Sequence, residues 1–251
     1  MDLQLRDRVF IVTGGTRGLG RATAEVLVAE GARVVVSSRD QDAVDAAVAE
    51  LGPSAVGVAA DNADPGAPAR LIAAAMERWG RLDGALVSVG GPPPGRVSEI
   101  TDEQWSTAFG SVFLGGVRLA REIGAALGDG GALAFVLSTS VRAPIAGLSV
   151  SNGLRPGLAM VAKDLADELG PRGIRVNALM PGRVGTERVA ELDAASGDAA
   201  AARARWEQEI PLRRYGAPEE FGRVAGFLLS PAASFVTGSL VPVDGGMTRA
   251  L

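Results

Sequence analysis

The stretch Val12–Leu27, VTGGTRGLGRATAEVL, decides the fold of this chain. An apolar run, RVFIVTGG, leads into it, and three glycines, Gly14, Gly18 and Gly20, precede apolar residues at helical spacing. This order predicts a buried strand, a tight turn and a helix. Glycine lets a ligand approach the backbone closely, and the free N–H groups at a helix start attract a pyrophosphate. The stretch therefore predicts a dinucleotide-binding turn, with a purely structural glycine turn as the alternative.

The alternation of strand and helix continues along the whole chain. Six further apolar runs predict strands: ARVVVSSR, SAVGVAAD, GALVSVGG, GALAFVLSTS, GIRVNALMPG and SLVPVDGG. Helical spacing predicts helices at Asp40–Leu51, Pro65–Trp79, Thr101–Leu127, Val150–Leu169 and Pro218–Leu229. Such alternation predicts an α/β fold, a doubly wound Rossmann-type parallel sheet of about seven strands with helices on both faces. We expect a single domain over residues 1–251; a closed eight-unit barrel is the alternative, and the glycine turn counts against it.

Composition excludes several classes of function. The 251 residues include no His and no Cys, which excludes disulfides and thiolate chemistry and leaves no expected metal site. A net charge of −4 and a pI near 5.1 argue against nucleic acid or an anionic membrane as partner. The first ten residues have charges at Asp2, Arg6, Asp7 and Arg8, unlike a signal peptide, and no apolar run approaches the length of a membrane span. We expect a soluble, cytoplasmic protein.

Further motifs accompany the glycine turn: AADNAD, LDGALVSVGG, LSTS, GIRVNALMPGRVGTE and RRYGAPEEFGRVAGFLLSPAASFVTGSLVPVDGG. With them the chain resembles, nearly end to end, the classical short-chain dehydrogenase/reductase family, in a divergent branch close to the 3-oxoacyl-acyl-carrier-protein reductases. The resemblance implies a nicotinamide cofactor, a small carbonyl or alcohol substrate, and a homo-oligomer (tetramer or dimer) built through the long helices and the C-terminal strand. Gly115, Gly116 and Ala120 would let helices approach closely there. It also implies a substrate lid at 187–210, predicted from its Ala-rich pattern to be a mobile amphipathic helix.

The resemblance implies cofactor-binding positions along the chain. The residue matching Asp61 contacts the adenine, and the Pro181-Gly182 turn with Thr186 closes over the nicotinamide, unless Pro181-Gly182 is simply a turn. The full set is Gly14, Thr16, Arg17, Gly18, Leu19, Gly20, Ser38, Arg39, Asp61, Asn62, Ser88, Gly90, Pro181, Gly182, Val184 and Thr186.

The end of the second strand indicates which nicotinamide cofactor binds. An acidic residue there would accept from the ribose 2′-hydroxyl and reject a 2′-phosphate. This chain instead has Ser37, Ser38 and Arg39, with Arg17 inside the glycine turn. Guanidinium groups grip phosphates in a bidentate manner. The pattern favours NADP(H) over NAD(H); two solvated surface arginines are the alternative.

The family's catalytic set is an Asn, a Ser and a Tyr-x-x-x-Lys pair, and most of it is replaced here. Ser138 matches the serine, with Ser140 a close contender. Ser151 stands where the tyrosine belongs, Arg155 where the lysine belongs, and the asparagine position falls on Val112. The candidate catalytic residues are therefore Ser138, Ser151 and Arg155, converging beside the nicotinamide.

No shift of alignment restores the missing pair. The one tyrosine, Tyr215, is followed four residues later by Glu219, and the one lysine, Lys163, is preceded four residues earlier by Ala159. A serine hydroxyl is a weak acid, and no histidine exists to activate it. Arg155 cannot shuttle a proton, although it can stabilise an oxyanion as a fixed donor. Tyr215 is expected to pack at the surface, with a displaced general acid as the alternative.

Several neighbouring features have two interpretations each. The loop Gly90–Gly95, GGPPPG, either walls the substrate pocket or only braces the chain. Trp105 and Trp206 are expected to be packing residues rather than substrate platforms. Ser149 or Ser151 could cap the helix that starts near Val150, while Arg155 points into the pocket.

Three hypotheses follow from this sequence. The first is an NADP(H)-dependent short-chain oxidoreductase of the alcohol–carbonyl type with an atypical active site. The second is a non-catalytic dinucleotide-binding homologue that serves as a sensor or partner subunit. The third is a lyase or dehydratase that uses Arg155 as an oxyanion donor.

Overall fold

Seven parallel strands form one open sheet in residues 1–249, the part of the chain that the computed structural model describes. They are β1 Val9–Thr13, β2 Arg33–Ser38, β3 Ala55–Ala59, β4 Gly84–Ser88, β5 Ala132–Val136, β6 Arg175–Pro181 and β7 Leu240–Val243. The strand order is β3-β2-β1-β4-β5-β6-β7, and every neighbouring pair is parallel. The predicted doubly wound sheet is confirmed, and the closed barrel is wrong.

The helices alternate with these strands. They are α1 Gly18–Ala29, α2 Gln41–Leu51, α3 Ala67–Trp79, α4 Asp102–Ala108, α5 Gly115–Ala126, α6 Ser149–Leu169, α7 Glu187–Ala194, α8 Ala199–Glu209 and α9 Pro218–Leu229. A π-helical segment, Phe109–Leu114, joins α4 to α5 where sequence predicted one regular helix. Among the described helices, none combines the length and the apolar character that a membrane crossing requires.

The core lies on both faces of the sheet. In β1, Val9 and Ile11 pack with the cluster that includes α3, α5 and α6, whereas Phe10 and Val12 pack with α1 and α9. This alternation is the period of two that a strand imposes on its side chains. Full burial of such a side chain contributes about 1.5–3 kcal/mol. The continuous apolar runs of the sequence are therefore explained by a sheet covered on both sides.

The strand order reverses between β1 and β4, and this is where a crevice opens at the carboxyl edge of such sheets. Thr13 ties the two strand ends together there. Its Oγ1 accepts the N–H of Ser88 at 2.8 Å and donates to the Ser88 carbonyl at 3.0 Å. The edge is thus fixed by side-chain as well as backbone hydrogen bonds.

Helix α6 lies close against α4 and the π-helical segment. A Cβ at Gly153 would come within 2.9 Å of the Trp105 ring, and one at Gly157 within 2.8 Å of Phe113. Trp105 is therefore a packing residue, as expected. The helix continues through Pro156, which removes one backbone donor, so packing rather than local propensity sustains it.

The small residues of α5 do not serve the role that the resemblance implied. A Cβ at Gly115 would lie 2.5 Å from the Asn62 carbonyl oxygen, and one at Gly116 would lie 3.3 Å from Leu158. Ala120 is fully buried. These residues pack inside the chain, so the expectation that they allow helices of two subunits to approach is wrong.

The segment 187–210 forms two helices, α7 and α8, instead of one amphipathic helix. The chain turns at Gly197, whose φ of +91° lies in the left-handed region, and Ser196 donates its hydroxyl to the Asp193 carbonyl at 2.6 Å. Within α8, Ala202 is the one buried residue. The prediction failed because it gave weight to the alanines and not to Gly197 and Asp198, which end one helix and cap the next.

Candidate active site

One cleft of about 1340 Å³ runs along the carboxyl edge of the sheet. Its lining includes all sixteen positions expected to bind a cofactor, together with Ser138, Ser151 and Arg155. The wall also includes residues that the sequence did not single out: Glu103, Gln104, Thr107, Ser111, Arg183, Glu187, Arg188 and Glu191. Residues far apart in sequence thus meet in a single cavity.

The glycine turn forms one end of the cleft. Gly14 and Gly18 have φ values of +61° and +55°, which side chains disfavour. A Cβ at Gly20 would lie 2.2 Å from the Gly14 carbonyl oxygen. Helix α1 begins beside the turn with no side-chain cap and no acidic residue in its first turn. Its N–H groups therefore remain available to an anion, which fits a dinucleotide pyrophosphate.

Two arginines line the cleft at the end of β2 and in the glycine turn. Arg17 and Arg39 are exposed, and within the described residues neither has a carboxylate ion-pair partner. Asp40 is adjacent in sequence, but its carboxylate accepts the N–H groups of Asp42 at 3.0 Å and Ala43 at 3.4 Å, which caps α2. The nearest carboxylate in sequence is thus engaged elsewhere.

The Pro181-Gly182 turn forms the opposite wall. The Gly182 N–H donates to the Val243 carbonyl at 3.0 Å, and a Cβ there would lie 2.6 Å from Asp244. Thr186 then caps α7 by accepting the Val189 N–H at 3.4 Å. The turn therefore holds β6 and β7 together and sets the start of the lid helix.

Two serines, Ser138 and Ser151, line the cleft, and Ser140 contacts both of them. Ser138 Oγ accepts the Ser140 N–H at 3.1 Å, and the hydroxyls of Ser140 and Ser151 are 3.2 Å apart. Ser140 and Ser151 are both buried. The Ser138 hydroxyl uses only its acceptor capacity in this contact, so its proton remains available for donation.

The expected serine cap of α6 is wrong. The helix begins at Ser149, with Leu148 at the capping position and no side-chain cap. Asn152 instead binds Ile145 in both directions, accepting its N–H at 2.9 Å and donating to its carbonyl at 2.9 Å. Ser151 is therefore free of any capping role and faces the cleft.

Arg155 is buried one helical turn after Ser151. Its guanidinium donates to the carbonyl of Val136 at 2.7 Å and to those of Val89 and Gly90 at 3.4 Å each. Burial, and to a smaller extent the positive charge of Arg188, lowers the pKa of Arg155 to about 10. The group remains a cation at neutral pH, held against the carboxyl ends of β4 and β5.

Arg188 on α7 places a second cation in the wall of the cleft, and no sequence motif indicated it. It donates to the Pro92 carbonyl at 2.8 Å, and a Cβ at Gly91 would lie 2.8 Å from its Nε. Gly90, Gly91, Pro92 and Pro93 line the cleft, so the proline-rich loop walls the cavity. No local pattern could reveal a contact between residues 96 positions apart.

The family's proton-relay residues have no equivalents in the described lining of the cleft, which includes neither tyrosine nor lysine. Val112 is buried in the π-helical segment, at the asparagine position. Lys163 lies on the exposed face of α6, where it pairs with Asp167. Ser151 and Arg155, the replacements noted in the sequence, line the cleft.

Tyr215 lies behind the lid and outside the cleft lining. It is 7% exposed, so the expected surface position is wrong. Its hydroxyl donates to Asp193 at 2.9 Å, and the other carboxylate oxygen binds Arg183 at 2.9 Å. Burial and the Asp193 contact raise the pKa of Tyr215 to about 12, away from the range of a general acid at neutral pH. This network fastens α7 to the segment before α9.

Trp206 belongs to both the lid and the cleft wall. It lies on α8, and the Arg183 guanidinium stacks over its ring at 4.1 Å. Its ring also lines the cleft. Trp206 therefore packs against an arginine while it bounds the cavity.

The comparisons with known proteins agree with this geometry. A family model described as enoyl-(acyl carrier protein) reductase matches residues 14–248. The chain belongs to the classical short-chain dehydrogenase/reductase family. Levodione reductase of Leifsonia aquatica is 35% identical over 97% of this chain and 95% of that protein. Cyclohexanol dehydrogenase of a Rhodococcus species is 30% identical over 98% of each.

A solved structure gives the same relationship at the level of the fold. L-sorbose reductase from Gluconobacter frateurii, complexed with NADPH and L-sorbose, superposes with a TM-score of 0.92 at 28% identity and full coverage of both chains. Because the chain belongs to the short-chain dehydrogenase/reductase family, it is an oxidoreductase by family. In residues 1–249, no group of three or more acidic, His or Cys residues is placed to hold a metal ion.

Proposed function

We propose that the protein is an NADP(H)-dependent oxidoreductase that interconverts a small carbonyl compound and its alcohol through an atypical active site. The observation that carries this proposal is the continuous cleft from the glycine turn to Ser138, Ser151 and Arg155. A nucleotide held at the turn would extend along this cleft towards Ser138, Ser151 and the buried guanidinium of Arg155. Levodione reductase and L-sorbose reductase, by their names, act on compounds of this kind.

The preference for NADP(H) rests on the arginines at the end of β2 and in the glycine turn. Arg17 and Arg39 have no ion-pair partner in the described chain, and the carboxylate of Asp40 caps α2. A 2′-phosphate supplies the anion that these guanidiniums lack. An unphosphorylated ribose finds no acidic acceptor there.

The chemistry available at the reacting end is hydrogen bonding and fixed positive charge. NADPH, when bound, supplies a hydride to the substrate carbonyl carbon. Ser138 and Ser151 would bind the carbonyl oxygen, and the charge of Arg155 would stabilise the developing alkoxide. The proton that completes the alcohol would come from solvent, because the described lining of the cleft includes no tyrosine positioned to donate it. Loss of a positioned general acid costs roughly 10²–10⁴-fold in rate, so we expect slow turnover.

The first test is a fluorescence titration of the purified protein with NADPH and with NADH. We expect tight NADPH binding and weaker NADH binding. A screen of carbonyl compounds then follows, with NADPH oxidation measured against product formed. Binding of neither nucleotide would contradict the proposal at its first step.

The lining of the cleft also favours a second candidate, a non-catalytic dinucleotide-binding homologue. Within the described lining, neither tyrosine nor lysine is present to relay a proton. Such a protein would bind NADPH and respond to it as a sensor or partner subunit. Stoichiometric NADPH oxidation with a carbonyl substrate decides for the enzyme; tight binding without turnover across the screen decides for the homologue.

We also propose that the protein forms a homo-oligomer, a dimer or a tetramer. Its subunits would meet through the long helical segments Thr101–Leu127 and Val150–Leu169 and through the C-terminal strand. Support comes from apolar side chains on their outer surface: Phe109 is 47% exposed, Leu114 41% and Met160 65%. An interface between subunits would remove these large apolar side chains from water. Light scattering on the purified protein should give an oligomer, and Met160→Glu should shift the mass towards the monomer.

A further inference from the structure

Arg155 carries a positive charge at the reacting end of the cleft that nothing in the described structure neutralises. Its hydrogen bonds all go to backbone carbonyls, and no carboxylate contributes to its electrostatic environment. Carbonyls satisfy the N–H groups of a guanidinium but leave its formal charge without a partner. A buried charge of this kind is costly unless a counter-charge arrives.

A second guanidinium lies close to the first. Arg188 reaches from the lid to the Pro92 carbonyl, while Arg155 reaches from α6 to the Gly90 carbonyl. The two therefore hold opposite ends of the three-residue segment Gly90–Pro92. Arg188 has one acidic neighbour, Glu191, at 3.4 Å, and both side chains are more than a third exposed, so water screens that pair.

The phosphates of a bound dinucleotide would not neutralise the charge of Arg155. The features that suit phosphate lie at the other end of the cleft, at the N-terminus of α1 and at Arg17 and Arg39. Arg155 instead lies one helical turn from Ser151, on the same face of α6. The anion that Arg155 lacks is therefore to be sought in the substrate.

We propose that Arg155 and Arg188 form a carboxylate-binding pair beside Ser138 and Ser151, and that the substrate is a small 2-oxo acid or the matching 2-hydroxy acid. The inference rests on the proposed NADP(H)-dependent function and names its substrate class. In a 2-oxo acid the carboxylate carbon is bonded directly to the carbonyl carbon. Guanidinium beside hydroxyl matches that arrangement, because the carboxylate pairs with the arginines while the serines bind the carbonyl oxygen.

The test compares two ligands of nearly the same shape, oxamate, a carboxylate, and oxamide, its neutral analogue. Calorimetric titrations are made on the protein alone and on the NADPH-loaded protein. We expect oxamate to bind at least ~10-fold more tightly than oxamide, since charge-assisted hydrogen bonds are about twice as strong as neutral ones. Arg188→Gln and Arg155→Met should each remove most of this difference while NADPH affinity is retained.

Arg205→Gln is the matched control, because Arg205 is also a lid arginine but does not line the cleft. It should keep the full preference for oxamate. Thermal unfolding and NADPH titration establish that each variant is folded. If Arg155→Met does not fold, Arg188→Gln decides alone, since its side chain is partly exposed.

Two results would overturn the inference while the proposed function stands. The first is equal affinity for oxamate and oxamide, or binding of neither, in a protein that binds NADPH. The second is loss of NADPH affinity in Arg155→Met or Arg188→Gln with the oxamate preference kept, which would assign these arginines to the cofactor. If the wild-type protein does not bind NADPH, the proposed function fails, and the titration of the protein alone still decides the carboxylate pair.

Discussion

Replacement of Arg39 by aspartate should reverse the cofactor preference. Arg39 is exposed at the end of β2, lines the cleft and has no carboxylate partner in the described chain. Its removal therefore breaks no internal ion pair. The neighbouring Asp40 keeps its cap on α2, so α2 should be unaffected. The change acts on the nucleotide alone.

The loss of NADPH affinity expected for Arg39→Asp has two contributions. A hydrogen bond to a charged group contributes about 1.5–3 kcal/mol, and the exposed position of Arg39 places it near the lower value. The new carboxylate adds repulsion against a 2′-phosphate of about 1–4 kcal/mol at contact distance. Since about 1.4 kcal/mol is a factor of ten, NADPH affinity should fall roughly 100-fold. NADH should bind more tightly, because aspartate accepts from the ribose 2′-hydroxyl.

The assay is fluorescence titration of wild-type protein, Arg39→Asp and Arg17→Gln with both nucleotides at two salt concentrations. NADPH affinity of the wild type should fall with salt more steeply than NADH affinity, because the arginines are exposed. Arg78→Asp, an exposed arginine on α3 outside the cleft lining, is the charge-matched control. If Arg39→Asp changes neither affinity beyond about two-fold, the arginines are surface residues and the reasoning is refuted.

Three further changes test other parts of the structure. Tyr215→Phe removes the hydroxyl that Asp193 accepts, and should lower the free energy of unfolding by about 1–2 kcal/mol in chemical denaturation. Ser151→Tyr with Arg155→Lys should raise carbonyl reduction by roughly 10²–10⁴-fold; a folded, NADPH-binding double variant without any gain would argue against a carbonyl reductase. The hydrogen bonds that Glu220 accepts from the Arg214 side chain and the Ala217 backbone N–H lower its pKa to about 2. Its ionised form therefore stabilises the fold above its unfolded pKa of about 4.3, and the stability deficit of Glu220→Gln should vanish as pH falls towards 2.

The sequence predicted the fold well because the signals for it are local. Each buried strand is a short apolar run, and β1 runs directly into a glycine turn that few other residues could form. The predicted helix Val150–Leu169 includes Pro156, although a proline inside a helix usually ends it, and the structure forms this helix as Ser149–Leu169. Packing of Gly153 and Gly157 against neighbouring rings keeps the helix intact there. Local pattern and tertiary packing agree in these elements.

The parts of the site that escaped prediction depend on long-range contacts. Arg188 reaches Pro92 across the cleft, and Tyr215 is drawn inward by Asp193. Neither contact has a pattern in the residues around it. Arg155 lines the cleft, but its carbonyl partners follow from the packing of α6 against the ends of β4 and β5. Position along the chain could be inferred from sequence, whereas the partner of each side chain could not.

The glycine turn at the cofactor end of the cleft is built from backbone, whereas the reacting end is built from side chains. This difference explains how the catalytic side chains can be replaced while the glycine turn is retained. The cofactor end depends on backbone: positive φ at Gly14 and Gly18, and a carbonyl 2.2 Å from where a Cβ of Gly20 would lie. Any side chain at these positions would disturb the turn itself. The reacting end depends on side chains at the start of α6, where Arg155 finds backbone carbonyl partners without any change in the helix. An intact glycine turn therefore argues for nucleotide binding and says nothing about proton transfer. The reaction must be inferred from the hydroxyls and guanidiniums themselves, which suit an anionic substrate and a proton taken from water.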